Sequence, residues 1–110
     1  MRDIIGYEGL YAITSCGRVW SYKRNKFLAP REKDGYLNVH LYKDGISKEF
    51  LVHRLVGLAY IDNPNNLPEI NHKSEVKTEN FVNNLEWCSS KYNNTYGTRI
   101  QRMIKTRTGG

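Results

Sequence analysis

Strict alternation of apolar and polar side chains between Tyr36 and Tyr42 restricts the fold of this chain more than any other feature. Leu37, Val39 and Leu41 fall on one face of an extended segment. The opposite face carries the other four side chains: Tyr36, Asn38, His40 and Tyr42. A period of two predicts a β-strand with one buried face. Asp44-Gly45 follows at once and favours a two-residue hairpin turn into a partner strand over residues 47–51.

A second hairpin is predicted upstream. Residues 11–14 and 18–22 are rich in strand formers and flank Ser15-Cys16-Gly17, where glycine supplies the positive φ of a tight turn. The first half of the chain is therefore predicted to be antiparallel sheet.

A helix is predicted next, because apolar residues then recur with helical spacing. They occupy positions i, i+3, i+4, i+7 and i+8: Val52, Leu55, Val56, Ala59 and Tyr60. Pro64 and Pro68 end this helix and open a loop over residues 62–68, because proline removes a backbone donor and disfavours helix in the preceding residue.

Length and charge indicate one small domain with a polyanionic partner. The chain has 110 residues, a net charge of +6 and a mean hydropathy of −0.66. Residues 1–52 carry nine Lys/Arg against six Asp/Glu, residues 53–96 four against five, and residues 97–110 four against none. The basic flanks are suited to phosphate binding, and the nearly neutral centre leaves room for a cation. Many small basic proteins, however, bind nothing specific.

The cysteine content and the length of the apolar runs indicate the cellular compartment of the protein. Cys16 and Cys88 lack the paired spacing of a zinc site, so both are expected to be reduced thiols. No apolar run approaches membrane-spanning length, and Met1-Arg2-Asp3 opens with charge. A soluble, cytoplasmic protein without a membrane partner is expected.

Three polar positions in the second half carry the chemical signal. Asn71-His72 ends an apolar-flanked run, Asn84 is predicted to open a short strand with Leu85-Glu86-Trp87, and Asn93 lies in a segment that begins with serine. Each polar residue stands at the boundary of a predicted element. This order predicts a strand, strand, helix unit around one metal ion.

The order and spacing resemble those of the HNH homing endonucleases, small nucleases often encoded in introns and phage genomes. The resemblance extends upstream to residues 52–56, Val-His-Arg-Leu-Val, the helix that precedes the nuclease motif in that family. It also includes residues 5–11 and Gly17-Arg18-Val19, which are similar to a nuclease-associated module that stands N-terminal to the motif. Nearly the whole chain is covered.

The resemblance implies a role for each motif residue. Asn71 and Asn93 match the metal ligands, His72 the general base that deprotonates water, and Asn84 the residue that fixes the connecting loop. The implied cofactor is one divalent ion per site, Mg²⁺ or Mn²⁺. Many family members have aspartate where Asn71 stands, and two neutral amides hold a hard cation poorly. The DNA phosphate is expected to supply the missing negative charge, unless a carboxylate such as Glu69, Glu75 or Glu86 reaches the ion.

Contacts to DNA are expected from the basic flanks. The candidate phosphate contacts are Arg18, Lys23, Arg24, Lys26, Arg31, Lys33, Arg99 and Arg102. Asn38 and His40 lie on the polar face of the alternating strand, which would enter a DNA groove or form an ordinary solvated face. His53 and Trp87 are interpreted as structural residues. Residues 97–110 are predicted to form either a short basic helix or a disordered arm.

The sequence therefore predicts an α+β domain in one compact unit. Residues 1–52 form an N-terminal antiparallel sheet, residues 53–96 a connecting helix and the ββα-metal motif, and residues 97–110 a basic tail. The expected function is metal-dependent cleavage of double-stranded DNA inside the host cell, nicking as a monomer and breaking both strands as a homodimer. Two rivals remain: a DNA-binding module on the same scaffold with little or no catalysis, and a protein that binds single-stranded RNA through its tyrosines.

Overall fold

A computed structural model describes residues 1–95 of the chain. It opens with a four-stranded antiparallel sheet in sequential order: β1 Arg2–Asp3, β2 Tyr11–Ile13, β3 Val19–Ser21 and β4 Lys26–Phe27. The predicted turn joins β2 to β3, with Gly17 at φ +86° and its N–H donating to the Thr14 carbonyl at 3.1 Å. The turn needs glycine here because L side chains rarely adopt this φ.

The second sheet contains the alternating strand. It comprises β5 Arg31–Lys33, β6 Tyr36–Lys43 and β7 Ile46–Leu51, all antiparallel. Asp44 and Gly45 form the hairpin turn with φ of 53° and 76°, as the sequence predicts. Val39 and Leu41 are buried, and His40 and Tyr42 are exposed.

Asn38 departs from this alternation. It belongs to the polar face of β6, yet only 2% of it is exposed. It lies with Phe27 and Leu28 in the lining of a cavity formed by residues of both sheets. The polar face of β6 is therefore covered at its beginning and open to solvent toward its end, so Asn38 lacks the exposure that both interpretations of this face, groove contact and solvated face, assume.

Helix α1, Val52–Tyr60, follows β7 without a connecting loop and begins at Val52, the first residue of the predicted apolar face. Its apolar face is buried through Val52, Leu55 and Val56. Gly57 lies directly against Ile70 and Trp87, and a Cβ there would approach the Trp87 ring at 3.1 Å. The helix can therefore approach the following strands closely.

The second half forms the predicted strand, strand, helix unit. β8 Glu69–His72 pairs antiparallel with β9 Leu85–Cys88, and α2 Ser90–Thr95 follows. Asn71 is opposite Glu86 and His72 is opposite Leu85. Asn84 closes a 3₁₀ turn, Val82–Asn84, and so lies just before β9 rather than opening it.

One hydrophobic core joins these parts. Its buried members come from the N-terminal segments, the second sheet, α1 and the β8–β9 pair: Ile4, Tyr7, Tyr11, Ile13, Val19, Val39, Leu41, Val52, Leu55, Val56, Ile70 and Leu85. Trp87 packs against this core and donates its indole N–H to the Ile61 carbonyl at 3.0 Å. The α+β class and the structural interpretation of Trp87 are confirmed. No helix within residues 1–95 is long and apolar enough to cross a membrane.

Candidate active site

One face of the β8–β9 pair gathers the two predicted metal ligands. Side chains alternate along a strand, so Glu69 and Asn71 share a face of β8, and the register places Glu86 opposite Asn71. The Asn71 Nδ2 donates to Glu86 Oε2 at 3.3 Å. From α2, the Asn93 Nδ2 donates to Glu69 Oε1 at 2.8 Å. Each predicted ligand therefore gives its amide nitrogen to a carboxylate.

The oxygen of Asn71 is the unusual atom of this face. Asn71 is completely buried, and its Oδ1 has no hydrogen-bond partner within residues 1–95. Leaving a buried acceptor unsatisfied costs about 1–3 kcal/mol, so such atoms are rare unless something else binds them. Because Glu86 holds the amide nitrogen, the oxygen is the end available to a cation. This donor set fits a hard divalent ion with oxygen ligands.

His72 ends β8 and is also buried, with 3% exposed. Its Nε2 lies 2.7 Å from Asn80 Oδ1. An amide oxygen can only accept, so Nε2 donates and the neutral ring has its basic lone pair on Nδ1. His72 thus has the tautomer of a base at Nδ1.

Aromatic rings surround His72. The His53 ring lies edge-on to it with centroids 4.9 Å apart, and Tyr36 covers both rings at 5.3 Å from His53 and 6.1 Å from His72. Lys77 lies over the outer side of Tyr36 at 4.8 Å. Burial lowers the pKa of His53 to about 4, with His72 and Arg54 adding smaller effects in the same direction. His53 is therefore a neutral packing residue near neutral pH, in keeping with its structural interpretation.

The depressed pKa of His53 predicts acid sensitivity. Its unfolded pKa is about 6.5, so between that pH and 4 the unfolded chain binds a proton that the folded chain excludes. Stability from this group is thus present above pH 6.5 and lost as the pH falls toward 4. Between pH 7 and pH 5, wild type should lose about 1–2 kcal/mol more stability than His53→Leu, measured by urea unfolding at both values. Equal losses in the two proteins would contradict the shift.

Asn84 fixes the loop between β8 and β9. Its main-chain carbonyl accepts a hydrogen bond from the Lys73 N–H at 2.7 Å, and its side-chain Oδ1 accepts one from the Ser74 N–H at 2.8 Å. Its Nδ2 donates to the Glu79 carbonyl, also at 2.8 Å. One buried amide therefore clamps both ends of the loop that follows His72. This geometry matches the loop-fixing role that the resemblance implies.

The predicted DNA contacts divide into groups. Five of them line one cavity of about 470 Å³ with residues of both sheets: Arg24, Lys26, Arg31, Asn38 and His40. The three arginine and lysine side chains are exposed, whereas Asn38 is buried. His40 contacts Glu49, with Nε2 3.4 Å from Oε2.

Three further predicted contacts, Arg18, Lys23 and Lys33, are not among the residues that line this cavity. Arg18 stacks on the Phe27 ring with its guanidinium carbon 3.9 Å from the centroid. Lys23 and Lys33 are exposed. Arg99 and Arg102, with the rest of the predicted basic tail, lie outside the described residues.

The sequence interpretation gave Asn80 no role. Its contact with His72 spans eight residues within a loop, and no periodic pattern indicates it. Glu69 and Glu86 entered only as alternative carboxylates, although the two-residue spacing from Glu69 to Asn71 is a signal that they share a face.

The N-terminal part of the chain, residues 2–42, matches the NUMOD4 motif. The chain is 44% identical over 99 residues to an uncharacterized HNH endonuclease, L245, of Acanthamoeba polyphaga mimivirus, covering 89% of this chain and 28% of the relative. It is 39% identical over 93 residues to the DNA endonuclease I-HmuI of Bacillus phage SP01, covering 84% and 53%. The chain is therefore similar to HNH endonucleases over more than four fifths of its own length.

A solved structure extends this relationship to three dimensions. The structure described as DNA binding and cleavage by the HNH homing endonuclease I-HmuI superimposes with a TM-score of 0.78 at 34% identity, over 96% of this chain and 65% of that one. The chain spans about a quarter of the length of the mimivirus relative and about half of the length of the phage relative.

Proposed function

We propose that the chain is an endonuclease that hydrolyses phosphodiester bonds of double-stranded DNA with the help of one divalent ion. The observation that carries the proposal is the buried Oδ1 of Asn71, which has no hydrogen-bond partner within residues 1–95 and belongs to the residue next to His72. It combines an oxygen suited to a cation with a histidine whose tautomer suits a base. The relatives named as HNH endonucleases and as a DNA endonuclease support the substrate and the reaction.

The ion would be held by the amide oxygens of Asn71 and Asn93. When bound, a divalent cation supplies neutralisation of the phosphate and stabilisation of the departing 3′ oxygen. Glu86 and Glu69 accept from the two amide nitrogens, so each amide would present its oxygen to the ion. Their negative charge also polarises the amides. Mg²⁺ is the proposed physiological ion and Mn²⁺ a substitute.

His72 is the proposed general base. Its Nδ1 takes a proton from water as the water oxygen forms a bond to phosphorus. The bond from phosphorus to the 3′ oxygen breaks, leaving a 5′ phosphate and a 3′ hydroxyl after that oxygen takes a proton from solvent. Asn84 keeps the loop behind His72 in place during this reaction. One such site cleaves one strand, so a monomer nicks and a homodimer breaks both strands.

Binding of DNA is proposed to rely on exposed cations of the N-terminal sheets. Arg24, Lys26 and Arg31 border the same cavity and form one basic surface. Lys23 and Lys33 extend it, and the tail with Arg99 and Arg102 is proposed to add further phosphate contacts. Such contacts position the protein without reading sequence. The proposed place of action is the cytoplasm of a host cell that contains this DNA.

A plasmid assay tests the proposed reaction. Supercoiled DNA incubated with the protein and Mg²⁺ should become nicked, and an excess of EDTA should stop the conversion. Competition by unlabelled duplex DNA should exceed competition by single-stranded RNA of equal length. Conversion that persists in EDTA would contradict the metal requirement, and preferential competition by RNA would favour the RNA-binding alternative.

The burial of His72 favours one second candidate, a DNA-binding module with weak or absent catalysis. Only 3% of His72 is exposed, and Tyr36 covers the ring. Both proposed ligands are also uncharged amides. Salt-dependent binding of duplex DNA without nicking, at every Mg²⁺ and Mn²⁺ concentration tested, would support this candidate.

A further inference from the structure

Asn80 lies in the loop between β8 and β9, eight residues after His72, and only 3% of it is exposed. Its Oδ1 accepts from the His72 ring at 2.7 Å, a short distance for a hydrogen bond with a nitrogen donor. Through this bond the side chain controls which ring nitrogen of His72 carries the proton.

The other end of the Asn80 side chain makes its role specific. The Nδ2 is buried and has no hydrogen-bond partner in the described part of the chain. A buried asparagine that serves only packing normally satisfies both ends of its amide, because each unsatisfied group costs about 1–3 kcal/mol. Within residues 1–95, the hydrogen bond that the Asn80 side chain makes is therefore the one that its Oδ1 accepts from His72.

The turn between β2 and β3 of the N-terminal sheet packs against the backbone of Asn80. A Cβ on Gly17 would lie 2.9 Å from both the Cβ and the carbonyl oxygen of Asn80, so the turn and the loop are in direct backbone contact. Two residues further on, Val82 N–H donates to the Ser15 carbonyl at 2.8 Å. The turn of residues 15–17, which joins β2 to β3, thus braces the loop that carries Asn80.

We propose that Asn80 is a positioning residue for the general base, and that the turn of residues 15–17 keeps it in position. Asn80 holds His72 in the tautomer with hydrogen on Nε2, so the basic lone pair that would receive the proton of water is on Nδ1. The N-terminal sheet, β1 to β4, therefore contributes to catalysis as well as to DNA binding. This inference rests on the proposed function for its catalytic part, whereas the tautomer itself is a property of the free protein.

Two substitutions separate the acceptor role from simple packing. Asn80→Asp keeps an oxygen acceptor and removes the unpartnered Nδ2, so it should retain kcat within about threefold. Asn80→Leu has a similar size and no acceptor, so kcat should fall about 10- to 100-fold while KM for DNA stays within about twofold. Equal activity of Asn80→Leu and wild type, or equal loss in both variants, would overturn the proposal.

Nitrogen-15 NMR of the histidine rings gives a readout that does not depend on cleavage. At about pH 8, where an ordinary histidine is neutral, wild type and Asn80→Asp should show His72 protonated at Nε2, with assignment by loss of the signals in His72→Gln. Asn80→Leu should show a mixture of tautomers. A wild-type ring protonated at Nδ1 would overturn the proposal even if the protein cleaves DNA. A protein that fails to cleave but shows the expected tautomers would contradict only the proposed reaction.

Gly17→Ala tests the brace, with Gly9→Ala as its matched control. Both glycines have positive φ, +86° and +77°, but a Cβ on Gly9 meets nothing within 4 Å. Both variants therefore carry similar backbone strain, and only Gly17→Ala displaces Asn80. We expect Gly17→Ala to lower kcat about 10-fold and to give the mixed tautomers of Asn80→Leu, and Gly9→Ala to match wild type in both. The spectra are compared below the thermal transition of each variant. Wild-type tautomers in folded Gly17→Ala would overturn the brace.

Discussion

Replacing His72 with alanine should lower the rate of plasmid nicking by about 10²- to 10⁴-fold, the usual contribution of a positioned general base. Its affinity for duplex DNA should stay within a few fold, because His72 is buried and is not one of the exposed cations proposed to bind phosphate. Single-turnover nicking rates and fluorescence anisotropy measure the two quantities separately. Loss of kcat with unchanged binding is the signature of a group that acts only in the transition state.

His72→Gln is the matched control for this prediction. Alanine opens space beside His53 and Tyr36, and so it changes packing as well as chemistry. Glutamine fills more of that space and can donate to Asn80 Oδ1, but its amide cannot serve as a base near neutral pH. Both variants should therefore be equally slow. Nicking by His72→Gln at the parental rate would show that another group activates the water.

Removing the oxygen of Asn71 should have an effect of similar size. Changes to residues that merely support a metal ligand cost about 10- to 100-fold, so Asn71→Ala should lower nicking by at least the upper end of that range. Asn83→Ala is the control, since Asn83 is an exposed asparagine in the 3₁₀ turn that precedes β9, the partner strand of β8. A loss of nicking that higher Mg²⁺ does not restore, with DNA binding retained, is the expected result. Parental activity in Asn71→Ala would remove Asn71 from the metal site.

Asn71→Asp should change metal binding in the opposite direction. In the wild-type protein without DNA, titration calorimetry should detect little Mg²⁺ binding, because the proposed ligands are neutral. An aspartate supplies charge where the cation must lie and should make binding to the free protein measurable. Tight Mg²⁺ binding to the wild-type protein alone would instead show that Glu69 or Glu86 contacts the ion directly.

Local periodicity explains which parts of the fold the sequence predicts well. The alternation of residues 36–42, the turn residues Asp44 and Gly45 and the spacing within α1 each act over a few neighbouring residues. The order of β8, β9 and α2 follows from the family resemblance. These features depend little on how distant parts of the chain meet.

The features that the sequence did not predict depend on contacts between distant segments. Asn38 is buried because residues from both sheets surround it, although its place in the alternation predicts a polar face. Asn80 meets Gly17 across more than 60 residues of chain, and no local pattern carries that information. The site residues that the motif identifies are thus only part of the candidate site, because their supports come from elsewhere.

The β2–β3 turn and α1 have a consequence for how the candidate site forms during synthesis. The four motif residues lie between positions 71 and 93, so their mutual contacts close short loops and are expected to form quickly. Their supports, the turn at Gly17 and the close approach at Gly57, stand earlier in the chain. A ribosome therefore releases the supporting surfaces before the strands that bind to them. When the ββα unit has been synthesised and can first fold, the turn at Gly17 and helix α1 that support it are thus already outside the ribosome.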